Sequence, residues 1–101
     1  MNKYDIYLPL KYNNGAPIEA ETFKQIRQQL MAVFGAITSS SKSAPFEGTW
    51  RYGGVEFVDD IIRMEIITNE QVEFFKNFKR RLKRKLRQIE ILITMQYIYV
   101  I

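Results

Sequence analysis

The side chains that could carry out chemistry in this chain are carboxylates, phenols and hydroxyls, because its 101 residues include no histidine and no cysteine. Without histidine the chain lacks the usual general base, the commonest metal ligand and any histidine-containing triad. Without cysteine it lacks thiolate metal sites and cysteine nucleophiles, and nothing argues for an oxidising compartment. A catalytic site would have to be built from acids, tyrosines or serines.

Three groups of such residues stand out, and each has a simpler structural interpretation. Asp59 and Asp60 could bind Mg²⁺, but neighbours on a strand point to opposite faces of the sheet. The serine-rich run 39–43 lacks a partner base and the glycine and lysine order of a phosphate-binding loop. Trp50 and Tyr52 could line a small-molecule pocket, although packing is the commoner role of such aromatics. We therefore expect no catalytic residue, no metal site and no cofactor.

The most distinctive charge pattern is a run of cations between residues 76 and 87. It holds eight of the fifteen lysines and arginines and none of the eleven acids, so the rest of the chain has a net charge of −4 although the whole is +4. A nucleic-acid-binding face is one interpretation. Its phosphate-binding residues would be Lys76, Lys79, Arg80, Lys83, Arg84 and Arg87. A solvated face or a contact with an acidic protein explains the same charges, and the face lacks interleaved aromatics for base stacking.

The same stretch predicts an amphipathic helix over residues 70–89. Its apolar residues recur at steps of three and four: Val72, Phe75, Phe78, Leu82, Leu86 and Ile89. Such a stripe must lie against other apolar residues. Thr68 with Gln71 has the form of a capping box at the helix start. A first helix is predicted over residues 19–34, with Gly35 placed to close it in the left-handed conformation.

Alternating apolar residues predict strands over residues 3–12, 61–67 and 90–101, and a hairpin of residues 49–52 and 55–58 around a glycine pair. This order predicts one domain, residues 1–101, with a ferredoxin-like βαββαβ two-layer sandwich. In that α+β fold an antiparallel sheet carries both helices on one face, here with an extra hairpin that contains Trp50 and Gly53-Gly54.

The other sheet face is then left open and predicts self-association as a homodimer. Its contact residues would be Tyr7, Ile61, Ile67, Ile98 and Val100, with Pro9 and Leu92 beside them. No apolar run approaches the length of a membrane span, and the N-terminus does not have the pattern of a signal peptide. We therefore expect a cytoplasmic protein without membrane contact.

Several short motifs resemble a widespread group of small, uncharacterised bacterial βαββαβ proteins. They are the Phe-Gly-Ala-Ile-Thr of residues 34–38, the Gly-Thr-Trp of residues 48–50, Asp60, and Phe75 with Gln88, Ile91 and Leu92. The chain departs from the group at Ala36, where a second glycine is expected. The resemblance implies a ferredoxin-like fold and brings no known activity with it.

The sequence thus favours a non-enzymatic, self-associating interaction or regulatory module. Two alternatives remain open. One is a nucleic-acid-binding protein that uses the basic residues 76–87. The other is an enzyme or small-ligand binder at the open sheet face.

Overall fold

A computed structural model of the chain describes residues 1–40 and 45–101, except for the side chains of Trp50 and Phe57. The elements are β1 (Asn2–Pro9), α1 (Ala20–Phe34), β2 (Thr38–Ser39), β3 (Phe46–Tyr52), β4 (Val55–Thr68), α2 (Val72–Lys85) and β5 (Leu92–Tyr97). The predicted mixed α+β architecture, an antiparallel sheet with two helices, is confirmed.

The sheet is centred on β1 and β4, which pair antiparallel with Leu8 opposite Ile62. The other edge of β1 pairs with β5, where Ile6 lies opposite Ile93. β2 and β3 both pair with the far edge of β4, at different points along its length. The strand order is therefore β5, β1, β4, and then β2 and β3 along one edge.

Both helices cover the same face of this sheet. Every second residue of the two central strands is buried there: Tyr4, Ile6, Leu8, Ile62, Met64 and Ile66. These residues form one cluster with the buried residues of the helices, which are Phe23, Ile26, Leu30, Phe75, Phe78 and Leu82. Burial of an apolar side chain of this size contributes about 1.5–3 kcal/mol to folding. The two helices thus supply six of the fifteen buried residues of the described core.

The ends of α1 follow the sequence signals. Gly35 closes the helix with a φ of 77°, and its N–H donates to the carbonyl of Met31 at 2.9 Å. Glycine adopts this left-handed conformation without the steric penalty that a Cβ would bring.

The ends of α2 differ from the prediction. The Thr68 hydroxyl accepts a hydrogen bond from the N–H of Glu70 at 3.1 Å, and Gln71 is the residue that precedes the first turn. The predicted capping box is therefore wrong, because this local turn uses the hydroxyl before the helix begins. The helix ends at Lys85, ahead of the predicted residue 89, because Arg87 takes a left-handed φ of 52° and turns the chain towards β5.

Two strand boundaries also differ from the prediction. Residues 55–58 and 61–67 form the single strand β4, because no glycine or proline interrupts them and Asp59 and Asp60 continue the pairing with β3. The last strand ends at Tyr97, opposite Asn2, where its partner β1 begins. Beyond that point Ile98 donates its N–H to the carbonyl of Met1 at 2.9 Å.

Within the residues that the structure describes, no helix combines the length and the apolar character that a membrane crossing requires.

Candidate functional site

A cleft with a volume of about 550 Å³ opens on the sheet face opposite the helices. It lies where β1 ends while β3 and β4 continue as a hairpin. The described residues that line it are Tyr7, Pro9, Gly48, Thr49, Asp59, Ile61, Gln88, Glu90, Ile91 and Leu92. Its volume falls within the range of about 300–1,000 Å³ that is typical of small-molecule sites.

The floor of the cleft follows from the strand register. Pro9 lies opposite Ile61 on β4, and Tyr7 lies opposite Leu92 on β5, so these side chains share the open face. The lining of the cleft is therefore largely apolar. The end of β1 at Pro9 agrees with the inability of proline to donate to a strand ladder.

Gly48 on β3 leaves one side of the cleft without a side chain. A Cβ built on this residue would lie 3.5 Å from Cδ1 of Ile61, at ordinary contact distance. A larger residue at position 48 would therefore fit the backbone, but its side chain would extend over the floor of the cleft. The absence of a side chain at this position holds the cleft open.

The opposite wall is the turn that joins α2 to β5, and two hydrogen bonds hold it in place. Asn13 Nδ2 donates to the carbonyl of Arg87 at 3.1 Å, which fixes the residue with the left-handed φ. Gln88 donates its backbone N–H to the carbonyl of Lys83 at 2.9 Å. Gln88 and Glu90 are thereby presented to the cleft by a turn that is tied to both α2 and the β1–α1 loop.

Glu90 is the most strongly fixed acid of this wall. Its Oε1 lies 2.9 Å from the ammonium nitrogen of Lys79 and accepts the N–H of Ile91, also at 2.9 Å. The hydrogen bond from Lys79, followed by that of the backbone, lowers the pKa of the Glu90 carboxyl below its ordinary value. Glu90 is therefore a carboxylate at neutral pH.

Asp59 is shared by the cleft and two smaller hollows on the same end of the sheet. One hollow, about 210 Å³, is also lined by Lys11, Tyr12 and Gln88, and the other, about 100 Å³, by Lys11, Val58 and Asp60. The Asp59 side chain thus stands at the junction of three concave surfaces. This position makes it the acid best placed to meet a bound ligand.

Tyr12 closes the outer side of the 210 Å³ hollow. Its hydroxyl donates to Oε2 of Glu19, which raises the pKa of Tyr12 and lowers the pKa of Glu19. The guanidinium carbon of Arg87 lies 5.5 Å from the centre of the Tyr12 ring. These contacts attach the wall of the cleft to the start of α1.

The cleft brings together two carboxylates, one phenol and one amide, from Asp59, Glu90, Tyr7 and Gln88. In the described part of the chain, no three acidic side chains lie close enough together to hold a metal ion. Asp59 lines the cleft, whereas Asp60 does not and pairs with Glu47 in register, so the two acids meet only at the hollow of about 100 Å³.

The structure divides the cations predicted to bind phosphate into two groups. Lys76, Lys79 and Lys83 lie within 4 Å of acids of this chain, Glu73 in the first case and Glu90 in the other two. Arg80 donates to Asn77, while Arg84 and Arg87 are exposed. The predicted face therefore does not carry six equivalent solvent-exposed charges.

The residues predicted for self-association do not form one continuous patch. Tyr7 and Ile61 lie at the cleft, while Ile67, 45% exposed, and Val100, 53% exposed, lie towards the other end of the sheet. Ile98 is half-buried beside Met1. Between the two ends the same face carries the charged side chains of Lys3, Asp5 and Glu65.

Of the predicted pocket residues Trp50 and Tyr52, Tyr52 has a described side chain. Tyr52 is 57% exposed and is not among the described residues that line the cleft. The Trp50 side chain and residues 41–43 of the serine run lie outside the described residues. Sequence reasoning missed Gly48, Gln88 and Glu90, although a lone glycine within a strand is a known mark of close approach.

No protein-family model matches this chain, and no curated protein matches it. Two solved structures of a phage SAM lyase are similar to it over 94% of its length at 12% identity. The structure in complex with S-methyl-5'-thioadenosine has a TM-score of 0.64 and is covered over 79% of its chain. The structure in the apo state has a TM-score of 0.63 and is covered over 78%.

This likeness overturns the expectation of a non-enzymatic module. The fold that we took to carry no activity is shared with an enzyme. The expectation was wrong because it rested on the lack of histidine and cysteine, which excludes some kinds of chemistry and not catalysis in general.

Proposed function

We propose that this chain is an enzyme of the lyase type that binds an S-adenosylmethionine-like sulfonium compound in the cleft and breaks a carbon–sulfur bond. The observation that carries the proposal is the apolar cleft of about 550 Å³, with Tyr7 in its lining, on a fold shared with a phage SAM lyase. Two further properties of the chain support it, namely its residue inventory and the charges beside the cleft.

The residue inventory fits this chemistry because the substrate carries its own activation. The sulfur of a sulfonium compound is positively charged, so it keeps the electron pair of the broken bond and leaves as a neutral thioether. The four-carbon amino-acid fragment then closes on its own carboxylate or loses a proton from a neighbouring carbon. Neither route requires a protein nucleophile, and only the second requires a base.

The lining residues have different tasks in this reaction. Pro9, Ile61 and Leu92 exclude water, and an apolar surrounding favours a transition state in which the sulfonium charge is disappearing. The Tyr7 ring attracts the cationic sulfur before the bond breaks. Asp59 places a carboxylate at the mouth of the cleft for a cationic ligand, and it is the acid that would accept a proton, whereas Glu90 is held by Lys79.

The proposal is tested by incubating the purified protein with S-adenosylmethionine and measuring release of S-methyl-5'-thioadenosine by chromatography. Binding of that thioether is measured separately by calorimetry. A protein that neither binds the thioether nor releases it from S-adenosylmethionine would exclude the proposed activity.

A variant that fills the cleft locates the activity. Gly48→Leu should place its side chain over Ile61 and abolish binding and turnover. Ala32→Leu, at an exposed position of α1 on the other side of the sheet, is the matched control. Both variants should keep the melting temperature within a few degrees. Activity that survives in Gly48→Leu would place the reaction elsewhere on the molecule.

We also propose that the fold is ferredoxin-like. The order β5, β1, β4 and then β2 with β3 supports this, because β2 and β3 together take the place of one edge strand. Membership of the group of small bacterial βαββαβ proteins and a cytoplasmic location stay proposals. Self-association and nucleic-acid binding stay proposals as well. Nucleic-acid binding does not compete with the cleft, since the exposed cations of α2 lie on the helix side of the sheet, whereas a dimer contact through Tyr7 and Ile61 would cover it.

A further inference from the structure

The open sheet face carries a charged cluster beside the cleft, formed by Lys3, Asp5 and Glu65. Asp5 on β1 lies directly opposite Glu65 on β4. The ammonium nitrogen of Lys3 lies 3.6 Å from Oδ2 of Asp5 and 3.4 Å from Oε2 of Glu65. One ammonium group thus serves two carboxylates, which leaves the cluster with one negative charge in excess.

Asp5 is buried without full hydrogen bonding. The residue is only 7% exposed, and its Oδ1 has no hydrogen-bond partner among the described residues. A buried acceptor that makes no hydrogen bond costs about 1–3 kcal/mol and calls for an explanation in a native structure. Asp5 lies on the sheet face that does not carry the helices, so packing against the helices does not explain why it is buried.

The spacing relates this cluster to the cleft. Asp5 and Tyr7 point to the same face of β1, about 7 Å apart at about 3.4 Å per residue. In S-adenosylmethionine the sulfur and the α-nitrogen are separated by four single bonds, which span about 5 Å when extended. A sulfur atom held against the Tyr7 ring therefore places the α-ammonium group within reach of Asp5.

We propose that Asp5 and Glu65 bind the α-ammonium group of the amino-acid part of the ligand, while the thioadenosine part fills the cleft. This inference rests on the proposed function. The Lys3 side chain, which has four rotatable bonds, has to turn away from the two carboxylates, and the ligand ammonium then takes its position between them. Arg63, opposite Tyr7 in register, is the cation on this face that meets the ligand carboxylate.

The test compares two ligands that share the thioadenosine part. S-methyl-5'-thioadenosine lacks the amino-acid part, whereas S-adenosylhomocysteine has it and carries no sulfonium charge. Calorimetric titration of both ligands is carried out with the unmodified protein, Asp5→Asn and Glu65→Gln. We expect each variant to bind S-adenosylhomocysteine at least tenfold more weakly than the unmodified protein does. Its affinity for the thioether should fall less than twofold.

The controls separate this inference from the proposed function. Glu56→Gln changes an acid of the same strand that pairs with Arg51 far from the cluster, and it should leave both affinities unchanged. If Asp5→Asn does not fold, Glu65→Gln alone decides. Equal losses for both ligands, or no loss for either, would show that the cluster is only a structural ion pair. Failure of the unmodified protein both to bind the thioether and to release it from S-adenosylmethionine would instead remove the proposed function.

Discussion

The ammonium nitrogen of Lys79 lies 2.9 Å from Oε1 of Glu90, so the basic helix is tied directly to the wall of the cleft. Lys83 approaches the same oxygen at 3.9 Å. Two cations that looked like part of a uniform solvent-facing array therefore hold the turn from which Glu90 reaches the cleft. The pairing gives part of the charge of α2 an intramolecular role.

Replacement of this acid tests its role in stability. Glu90→Gln should lower the free energy of unfolding by about 0.2–1 kcal/mol at neutral pH, the usual range for an exposed ion pair. The folded pKa of Glu90 is lowered from 4.5, so its stabilising effect is complete well above pH 4.5 and is lost as the pH falls through the lower folded value.

Urea unfolding of both proteins at pH 7 and at low pH measures this effect. The difference between them should shrink on acidification, because the protonated carboxyl and the amide are then both neutral. Glu73→Gln removes the exposed pair with Lys76 and serves as the control. An unchanged difference at low pH would show that charge is not the cause.

Phe75 is predicted to be the most sensitive core position of α2. Its ring is 3% exposed and stacks on the Tyr4 ring with centroids 3.6 Å apart. Phe75→Ala should cost about 3–5 kcal/mol. Tyr4→Phe should cost only about 1 kcal/mol, because it keeps the stacking and loses the hydrogen bond to the Glu70 carbonyl. Urea midpoints measure the stability of both variants. Equal losses of stability would show that ring packing is not the main contribution.

Tyr7 is predicted to contribute to ligand binding through its ring. Tyr7→Leu should weaken a sulfonium ligand about fivefold, because a cation–aromatic contact contributes about 1 kcal/mol. Tyr99→Leu, at a position that is 92% exposed, should have no effect. Calorimetry with S-methyl-5'-thioadenosine and with a non-cleavable sulfonium analogue measures both. If the neutral thioether loses as much affinity as the sulfonium analogue, the Tyr7 ring contributes through its shape and not through its attraction for the charge.

Nucleic-acid binding by α2 makes a prediction that depends on the two groups of cations. If four phosphates are contacted, the logarithm of the affinity should fall with the logarithm of salt concentration at a slope of about −4. Charge reversal at the exposed Arg80 and Arg84 should then weaken binding more than reversal at Lys79 and Lys83, which are paired with Glu90. A filter-binding series on DNA and RNA measures this, and no retention at low salt would remove the prediction.

Self-association predicts a homodimer at micromolar concentration in a light-scattering measurement. If the apolar end of the open face is the contact, Ile67→Lys should shift the mass towards the monomer. Tyr97→Lys, at an 80% exposed position of β5, is the control because Tyr97 lies at a register position on the opposite face. A monomeric mass for the unmodified protein would contradict the prediction.

Periodicity was sufficient to predict most of the elements. Each helix has one apolar face, so its apolar residues recur every three or four positions along the chain. This spacing identified Phe23, Ile26 and Leu30 in α1 and Phe75, Phe78 and Leu82 in α2. The alternation of Tyr4, Ile6 and Leu8 was recognisable for the same reason. Boundaries failed where a partner decides them, as at Tyr97, which ends β5 because β1 begins opposite it.

The cleft could not be predicted in this way. Gly48, Asp59 and Glu90 belong to different segments and meet only because β3, β4 and the turn after α2 converge at one end of the sheet. The burial of Asp5 on the open sheet face likewise depends on Lys3 and on Glu65 of another strand.

The sequence by itself determined the two amphipathic helices, the central strands and the residues that form the core, because these follow from contacts that recur at a fixed spacing along the chain. Only the tertiary structure decided which acids meet, which cations are paired and where a ligand has room. Those properties depend on distances between segments far apart in sequence, and such distances exist only once the sheet has formed.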